Sequence, residues 1–249
     1  MRTSTFAAFV ALTLIAPAAP SLAQGTPEGE AFFSAGVMHL REGRTAIALD
    51  QFKRAVKAEP ENPYFRKGLG QAYASARQWK DAIKQFRKAL EINPYYVDLR
   101  NDLGTALVLA GKRDEGRDEF LTAYSDPMNP TPEVSARNLG QAYLDEKNYT
   151  EAISWFRTAL GRVDTYADPY LGLAEALVAT ERIEEAAVLL ESGVRKVPED
   201  PVLHLALGQV YFKAGRFTEA RFKFEDAMRK DPSGLVGQAA ADELARLPD

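Results

Sequence analysis

Residues 68–94 read GLGQAYASARQWKDAIKQFRKALEINP and contain the pattern that decides the fold. The small residue Gly70 and the large residue Phe86 recur along the chain every 34 residues, with one longer interval of 36. This period indicates stacked helical repeats. The equivalents of Gly70 are Gly36, Gly104, Gly140, Ala174 and Gly208, and those of Phe86 are Phe52, Phe120, Phe156, Leu190 and Phe224.

The residue types within the period explain how each repeat folds. If every repeat is numbered 1 to 34, small residues at positions 8, 20 and 27 let two helices approach closely, and the large residue at position 24 fills the space between them. Position 15 holds Gly43, Gly111 or Gly215 in three repeats, as expected where a helix ends in a left-handed residue. Proline at position 32, as in Pro94, ends the second helix. One such hairpin cannot bury its apolar surface alone, so the repeats must stack.

The pattern resembles the tetratricopeptide repeat family, whose repeat is a pair of antiparallel helices. The resemblance implies an all-α fold, a right-handed superhelix (α-solenoid) of six helix-turn-helix repeats followed by a capping helix. Residues 24–28 form a short N-terminal segment, and residues 235–249 form the capping helix and tail. The implied repeats are 29–62, 63–96, 97–130, 133–166, 167–200 and 201–234.

The first 23 residues have the pattern of a secretory signal peptide. Arg2 precedes the apolar run Phe6–Ile15, and Ser21-Leu22-Ala23 predicts cleavage before Gln24. The run is too short for a membrane anchor, which needs about 20 apolar residues. No cysteine follows it, so it is not a lipoprotein signal. We expect an exported, periplasmic protein with no transmembrane span in its mature form.

Composition excludes several kinds of chemistry. The chain has 249 residues, a formal net charge of -4 and no cysteine, so it has no thiolate nucleophile and no cysteine metal site. The mild acidity gives no electrostatic reason to expect nucleic acid or an anionic membrane as partner. The two histidines, His39 and His204, fall at positions that pack between helices. We therefore expect no enzyme activity, no cofactor and no metal.

The stretch AYSDPMNPTPEV, residues 123–134, interrupts the period with two extra residues. We expect the helix before it to stop near Ser125, and Pro132 to stand just before the next helix with Thr131 as its cap. The interruption is either a tolerated surface insertion or a kink or interface.

The interruption also carries a second, finer resemblance. Residues 126–133 (DPMNPTPE) and Asn138-Leu139-Gly140 are similar to the pilotin family of type IV pilus biogenesis. Members of that family have six tetratricopeptide repeats and assist assembly of the outer-membrane secretin. They are usually lipoproteins, and this sequence has no cysteine to acylate.

Two functions fit this reading. The first is a protein-binding scaffold of the cell envelope that assists type IV pilus or secretin assembly. The alternative is an adaptor in an envelope polysaccharide-export or cell-wall enzyme complex.

The tetratricopeptide resemblance implies that a concave groove, lined by the first helix of each repeat, binds the protein partner. Phe33, Val37 and Leu40 lie on one face of a helix, and this apolar stripe is either part of the groove or covered by residues 24–28 and neighbouring helices. A carboxylate clamp known in the family is not expected, because Asp102 would repel a carboxylate. The candidate groove residues are Phe33, Val37, Leu40, Arg41, Tyr64, Lys67, Gln71, Asn101, Asp102, Arg137, Asn138 and Gln141.

Overall fold

The computed structural model describes residues 25–248, so the predicted signal peptide lies outside the described residues. Residues 25–248 form thirteen α-helices and no β-strand. The predicted all-α class, six helical hairpins and a capping helix, is confirmed. The helices are α1 (Pro27–Arg41), α2 (Thr45–Ala58), α3 (Pro63–Ser75), α4 (Trp79–Ile92), α5 (Val97–Leu109), α6 (Arg113–Ser125), α7 (Pro132–Asp145), α8 (Tyr149–Arg162), α9 (Ala167–Ala179), α10 (Ile183–Lys196), α11 (Pro201–Lys213), α12 (Phe217–Lys230) and α13 (Leu235–Leu244).

The chain divides into two compact units, with the boundary between Glu119 and Phe120. In unit 1, each helix from α1 to α5 packs on the next, and α3 also contacts α1 and α5. In unit 2, each helix from α7 to α13 packs on the next, and the odd-numbered helices α7, α9, α11 and α13 contact one another in order. Among the described residues, α2 does not contact α4, α8 does not contact α10, and α10 does not contact α12. The odd-numbered helices are thus the more closely spaced layer of each unit, and the surface they present is named the odd-helix face.

The core of four hairpins is a phenylalanine from the second helix packed on a glycine of the first. Phe86 is fully buried, and a methyl group added at Gly70 would lie 2.5 Å from its Cδ1. The same arrangement joins Phe52 to Gly36, Phe156 to Gly140 and Phe224 to Gly208. Only a residue without a side chain allows the ring so close to the facing helix.

The hairpin turns share one left-handed residue at position 15 of every repeat. Gly43, Gly111 and Gly215 adopt positive φ, as the sequence predicted. The other three repeats place Arg77, Lys147 and Glu181 there, at φ values of 56°, 61° and 60°. These residues accept a conformation that costs a side chain about 1–2 kcal/mol, because the turn geometry is set by the two packed helices.

Prolines begin four of the helices, and polar side chains cap three of those four. The side chains of Thr26, Asn62 and Asp200 accept hydrogen bonds from the first backbone N–H groups of α1, α3 and α11. The predicted cap Thr131 is wrong in this respect, because its side chain accepts no hydrogen bond from α7.

Candidate functional site

The odd-helix face of unit 1 carries a compact polar and aromatic group, named the unit 1 cluster: Tyr64, Lys67, Gln71, Tyr96 and Asp102. The first three lie on α3, Asp102 lies on α5, and Tyr96 immediately precedes α5. The rings of Tyr64 and Tyr96 have centroids 5.2 Å apart. The ammonium group of Lys67 lies 4.9 Å from the centroid of Tyr96 and 3.8 Å from Oδ2 of Asp102. The cluster therefore joins two consecutive repeats across the odd-helix face.

Asp102 is the central acceptor of this cluster. Its side chain is 14% exposed, and Nε2 of Gln71 donates a hydrogen bond of 3.1 Å to Oδ2. Burial raises the pKa of the Asp102 carboxyl above its ordinary value, although Lys67 and the Gln71 hydrogen bond oppose the rise. Burial also raises the pKa of Tyr96, with a further contribution from Tyr64 and Asp102. The phenol thus remains a neutral hydrogen-bonding group.

The predicted residues of this cluster differ in accessibility. Tyr64 and Lys67 are partly exposed and can contact a partner. Gln71 is 3% exposed and Asn101 is 8% exposed, so they support the surface from below. The backbone carbonyl of Asn101 accepts a hydrogen bond from the hydroxyl of Thr105.

The predicted apolar stripe of the first repeat packs largely into unit 1. The ring of Phe33 stacks on Phe65 at 5.2 Å and meets Phe52 edge-on at 5.5 Å. Val37 and Leu40 are partly buried against the same core. Arg41, at the end of α1, is exposed. A charged substitution at Phe33 would disturb the core, so it is unsuitable as a test of binding.

Unit 2 has a related group on its own odd-helix face, named the unit 2 cluster: Arg137, Asn138, Tyr166 and Asp168. The guanidinium of Arg137 on α7 donates to Oδ2 of Asp168 on α9 at 2.8 Å and to Oδ1 of Asn138 at 3.1 Å. Burial raises the pKa of Tyr166, while Arg137 opposes that rise. The predicted Gln141 lies one turn further along α7 and donates to Asp145 at 2.8 Å.

Tyr96, Tyr166 and Asp168 were not predicted from the sequence, although a signal for the two tyrosines is present there. Lys67 and Tyr96 are 29 residues apart, and Arg137 and Tyr166 have the same separation. Both pairs combine a cation at position 5 with a tyrosine at position 34. Because these two positions are brought together in each unit, a cation at position 5 combined with a tyrosine at position 34 could have identified the clusters.

The proline-rich interruption is an ordered loop in unit 2. Asn129 is 8% exposed, and its Nδ2 donates to the carbonyl of Ala123 at 2.7 Å and to the hydroxyl of Ser135 at 3.2 Å. Its Oδ1 accepts the backbone N–H of Thr131 at 2.9 Å. Asn129 thus ties the end of α6 to the start of α7, and Met128 beside it is 79% exposed.

Residues 25–248 give little support to other kinds of site. Residues 25–248 contain no group of three or more His, Asp or Glu side chains placed to hold a metal ion. No helix in that range is long and apolar enough to cross a bilayer. A groove of about 400 Å³ is lined in part by Arg157 and Arg182, and both arginines face the carboxylate of Glu185, which balances part of their charge.

Protein-family models identify the same helical repeats as the structure. Two family models, each described as tetratricopeptide repeat, match the chain. One matches residues 27–97 and 101–168, and the other matches residues 143–210 and 181–242. A curated relative, the TPR repeat-containing thioredoxin TTL4 of Arabidopsis thaliana, is 25% identical over 229 residues. The match covers 83% of this chain and 33% of the relative, so the chain spans about a third of that protein's length.

Solved structures show the same fold at low sequence identity. PilW, described as a widely conserved type IV pilus biogenesis factor, is 18% identical with a TM-score of 0.71, and the match covers 86% of this chain and 98% of PilW. PilF of Pseudomonas aeruginosa is 19% identical with a TM-score of 0.66, and the match covers 87% of this chain and 97% of PilF. Yeast Tom70 is 18% identical with a TM-score of 0.71, over 89% of this chain and 47% of Tom70.

Proposed function

Because this chain belongs to the tetratricopeptide repeat family, whose stacked hairpins offer extended binding surfaces, we propose that it is an exported, non-enzymatic scaffold for a protein partner of the cell envelope. The observation that carries the proposal is the unit 1 cluster. It presents two tyrosine rings, a lysine and a half-buried carboxylate on the odd-helix face. Aromatic rings beside fixed polar groups are typical of surfaces that bind a protein segment.

The role that we propose for this scaffold is assistance to type IV pilus or secretin assembly. The structural match to PilW and PilF extends over nearly all of both proteins. The ordered loop around Asn129 carries the residues similar to the pilotin family, and it lies where the third hairpin meets the fourth. The signal-peptide pattern of residues 1–23 supports export to the periplasm.

Binding explains the cluster better than catalysis does. Lys67 and Asp102 face each other, and Gln71 donates to the same carboxylate, so these groups satisfy one another. The relative named a thioredoxin does not change this view, because the present sequence contains no cysteine for a dithiol.

The test compares a tyrosine of the unit 1 cluster with an exposed tyrosine outside it. Tyr64→Ala removes a ring from the unit 1 cluster, whereas Tyr95→Ala removes one that is 86% exposed in the turn after α4. Tagged wild-type and variant proteins are crosslinked in the native cell envelope, purified and analysed by mass spectrometry. We expect the wild type and Tyr95→Ala to recover a secretin or another pilus-assembly protein, and Tyr64→Ala to bind it about ten-fold more weakly.

Two outcomes would contradict the proposal in separate ways. Recovery of a polysaccharide-export or cell-wall enzyme complex instead would refute the pilus role and favour the adaptor function. Equal recovery by both variants, each folded by circular dichroism, would refute the placement of the binding surface on the unit 1 cluster.

A further inference from the structure

The second helices of the first two repeats carry exposed lysines that have no carboxylate partner. Lys80, Lys84 and Lys88 follow one another at intervals of four on α4, so they lie along one side of that helix. Lys57 lies near the end of α2. All four are exposed, and none makes an ion pair with any residue in 25–248. The three lysines of α4 are named the lysine ridge.

The arginines of the same helices behave differently. Arg54 pairs with Asp50 at 3.2 Å, and Arg87 pairs with Glu115 at 2.6 Å. The uncompensated charge of this surface therefore resides on lysines. Lysine heads are compact and strongly hydrated, whereas arginine is the usual residue for specific phosphate and nucleic-acid contacts.

The repeat fold does not require these lysines. The positions equivalent to Lys80, Lys84 and Lys88 hold no cation in any second helix of unit 2. They are Thr150, Ser154 and Thr158 on α8, Glu184, Val188 and Ser192 on α10, and Thr218, Phe222 and Asp226 on α12. A cationic row that occurs in one hairpin, and that makes no internal ion pair there, is available to a partner outside the chain.

We propose that the lysine ridge docks the protein on the surface of an anionic phospholipid bilayer. Charge complementarity selects this partner, because a row of lysines along about two helical turns faces headgroups without needing a groove or a base to stack on. The net charge of -4 does not oppose this, since attraction acts over a Debye length of about 8 Å at physiological salt and is governed by local charge.

This surface is separate from the proposed partner site. The ridge lies on α4, whereas the unit 1 cluster is formed by α3, α5 and the turn before α5. Lipid docking would therefore leave Tyr64 and Lys67 accessible. It also offers membrane attachment that needs no acylated cysteine.

The test measures co-sedimentation with vesicles of phosphatidylcholine alone and of phosphatidylcholine mixed with phosphatidylglycerol. The full chain and the form beginning at Gln24 are both assayed, because the apolar run Phe6–Ile15 would bind any bilayer regardless of its charge. The ridge variant is Lys80→Gln, Lys84→Gln and Lys88→Gln together. The matched control removes the same charge from exposed, unpaired cations of unit 2, by Arg195→Gln, Lys213→Gln and Arg221→Gln.

We expect wild type and control to bind the anionic vesicles and to be released by high salt. Each lysine at an anionic surface contributes about five-fold to partitioning, so the ridge variant should bind about 100-fold more weakly. Equal losses in the ridge variant and the control, or no binding of the Gln24 form to anionic vesicles at low salt, would overturn the proposal. Salt-sensitive retention of a DNA duplex without vesicle binding would assign the ridge to nucleic acid instead.

Discussion

Replacing Gly70 with alanine tests the close approach of α3 to α4. The added methyl group would lie 2.5 Å from Cδ1 of Phe86, whose ring is fully buried. Since the ring or the helix must shift, overpacking costs about 1–3 kcal/mol. Alanine also favours a helix over glycine by about 1 kcal/mol. We therefore expect Gly70→Ala to lower the free energy of unfolding by about 1 kcal/mol.

The fifth repeat shows which second substitution should relieve this overpacking. Ala174 and Leu190 occupy the positions of Gly70 and Phe86, and both are buried. Phe86→Leu alone leaves a small void, which we expect to cost about 1 kcal/mol. In the double variant the alanine methyl group enters the space that the ring leaves. The combined loss should then be smaller than the sum of the single losses by at least about 1 kcal/mol.

Urea unfolding followed by circular dichroism measures this cycle for the wild type, the two single variants and the double variant. Gly161→Ala is the control, because its methyl group would meet nothing within 4 Å and should stabilise α8 by about 0.5–1 kcal/mol. Additivity of the two substitutions to within about 0.5 kcal/mol would refute the packing argument. So would a Gly70→Ala variant as stable as Gly161→Ala.

Three further predictions concern other parts of the fold. Arg77 and Gly111 both adopt positive φ, which favours glycine. Arg77→Gly should therefore be neutral or stabilise the protein by up to about 1 kcal/mol, whereas Gly111→Ala should destabilise it by about 1 kcal/mol. Thermal unfolding measures both changes. Because burial raises the pKa of Asp102, the unfolded chain releases its proton first, so the wild type should lose stability relative to Asp102→Asn as pH rises above about 4. A difference that stays constant in urea titrations from acid to neutral pH would contradict this. Asn129→Ala should cost about 1–3 kcal/mol by leaving the Ala123 carbonyl without its partner, whereas Thr131→Ala should change the unfolding temperature little.

The helical layout could be predicted from sequence because the fold repeats the same packing problem six times. Gly70 against Phe86 recurs at one spacing, so even a single repeat with Ala174 and Leu190 remains recognisable. The end of α6 at Ser125 was predicted for a local reason, since proline at 127 and 130 cannot continue a helix.

The hydrogen bonds between neighbouring elements could not be predicted in this way. His204, at position 4 of its repeat, was expected to pack between helices, yet three side chains at position 4 reach a backbone carbonyl six residues earlier. Arg66 donates to Pro60 at 2.6 Å, Tyr170 donates to Asp164 at 2.9 Å, and Nε2 of His204 lies 2.9 Å from the Pro198 carbonyl. Arginine, tyrosine and histidine all make this contact with a backbone carbonyl, so no single residue type at position 4 predicts it.

The candidate site could be predicted only where its residues lie on a helix. Tyr64, Lys67 and Asp102 follow from their places on α3 and α5, and the structure brings them into one cluster. Tyr96 was missed because it precedes α5 and belongs to no helical face. Phe33 shows a limit of the pattern, since its helical spacing predicts an apolar face but not whether another helix covers that face; in the structure its ring stacks on Phe65 of α3.

The two proposed surfaces share a property that separates them from the core. Core residues such as Phe86 recur in almost every repeat, because every hairpin must close on itself. A cation at position 5 with a tyrosine at position 34 occurs only as Lys67–Tyr96 and Arg137–Tyr166, and the row of lysines that includes Lys84 occurs on α4 alone. Stacking of the hairpins explains neither feature. In a repeat protein, function is therefore best sought in residues that depart from the period, and both surfaces are defined by such departures.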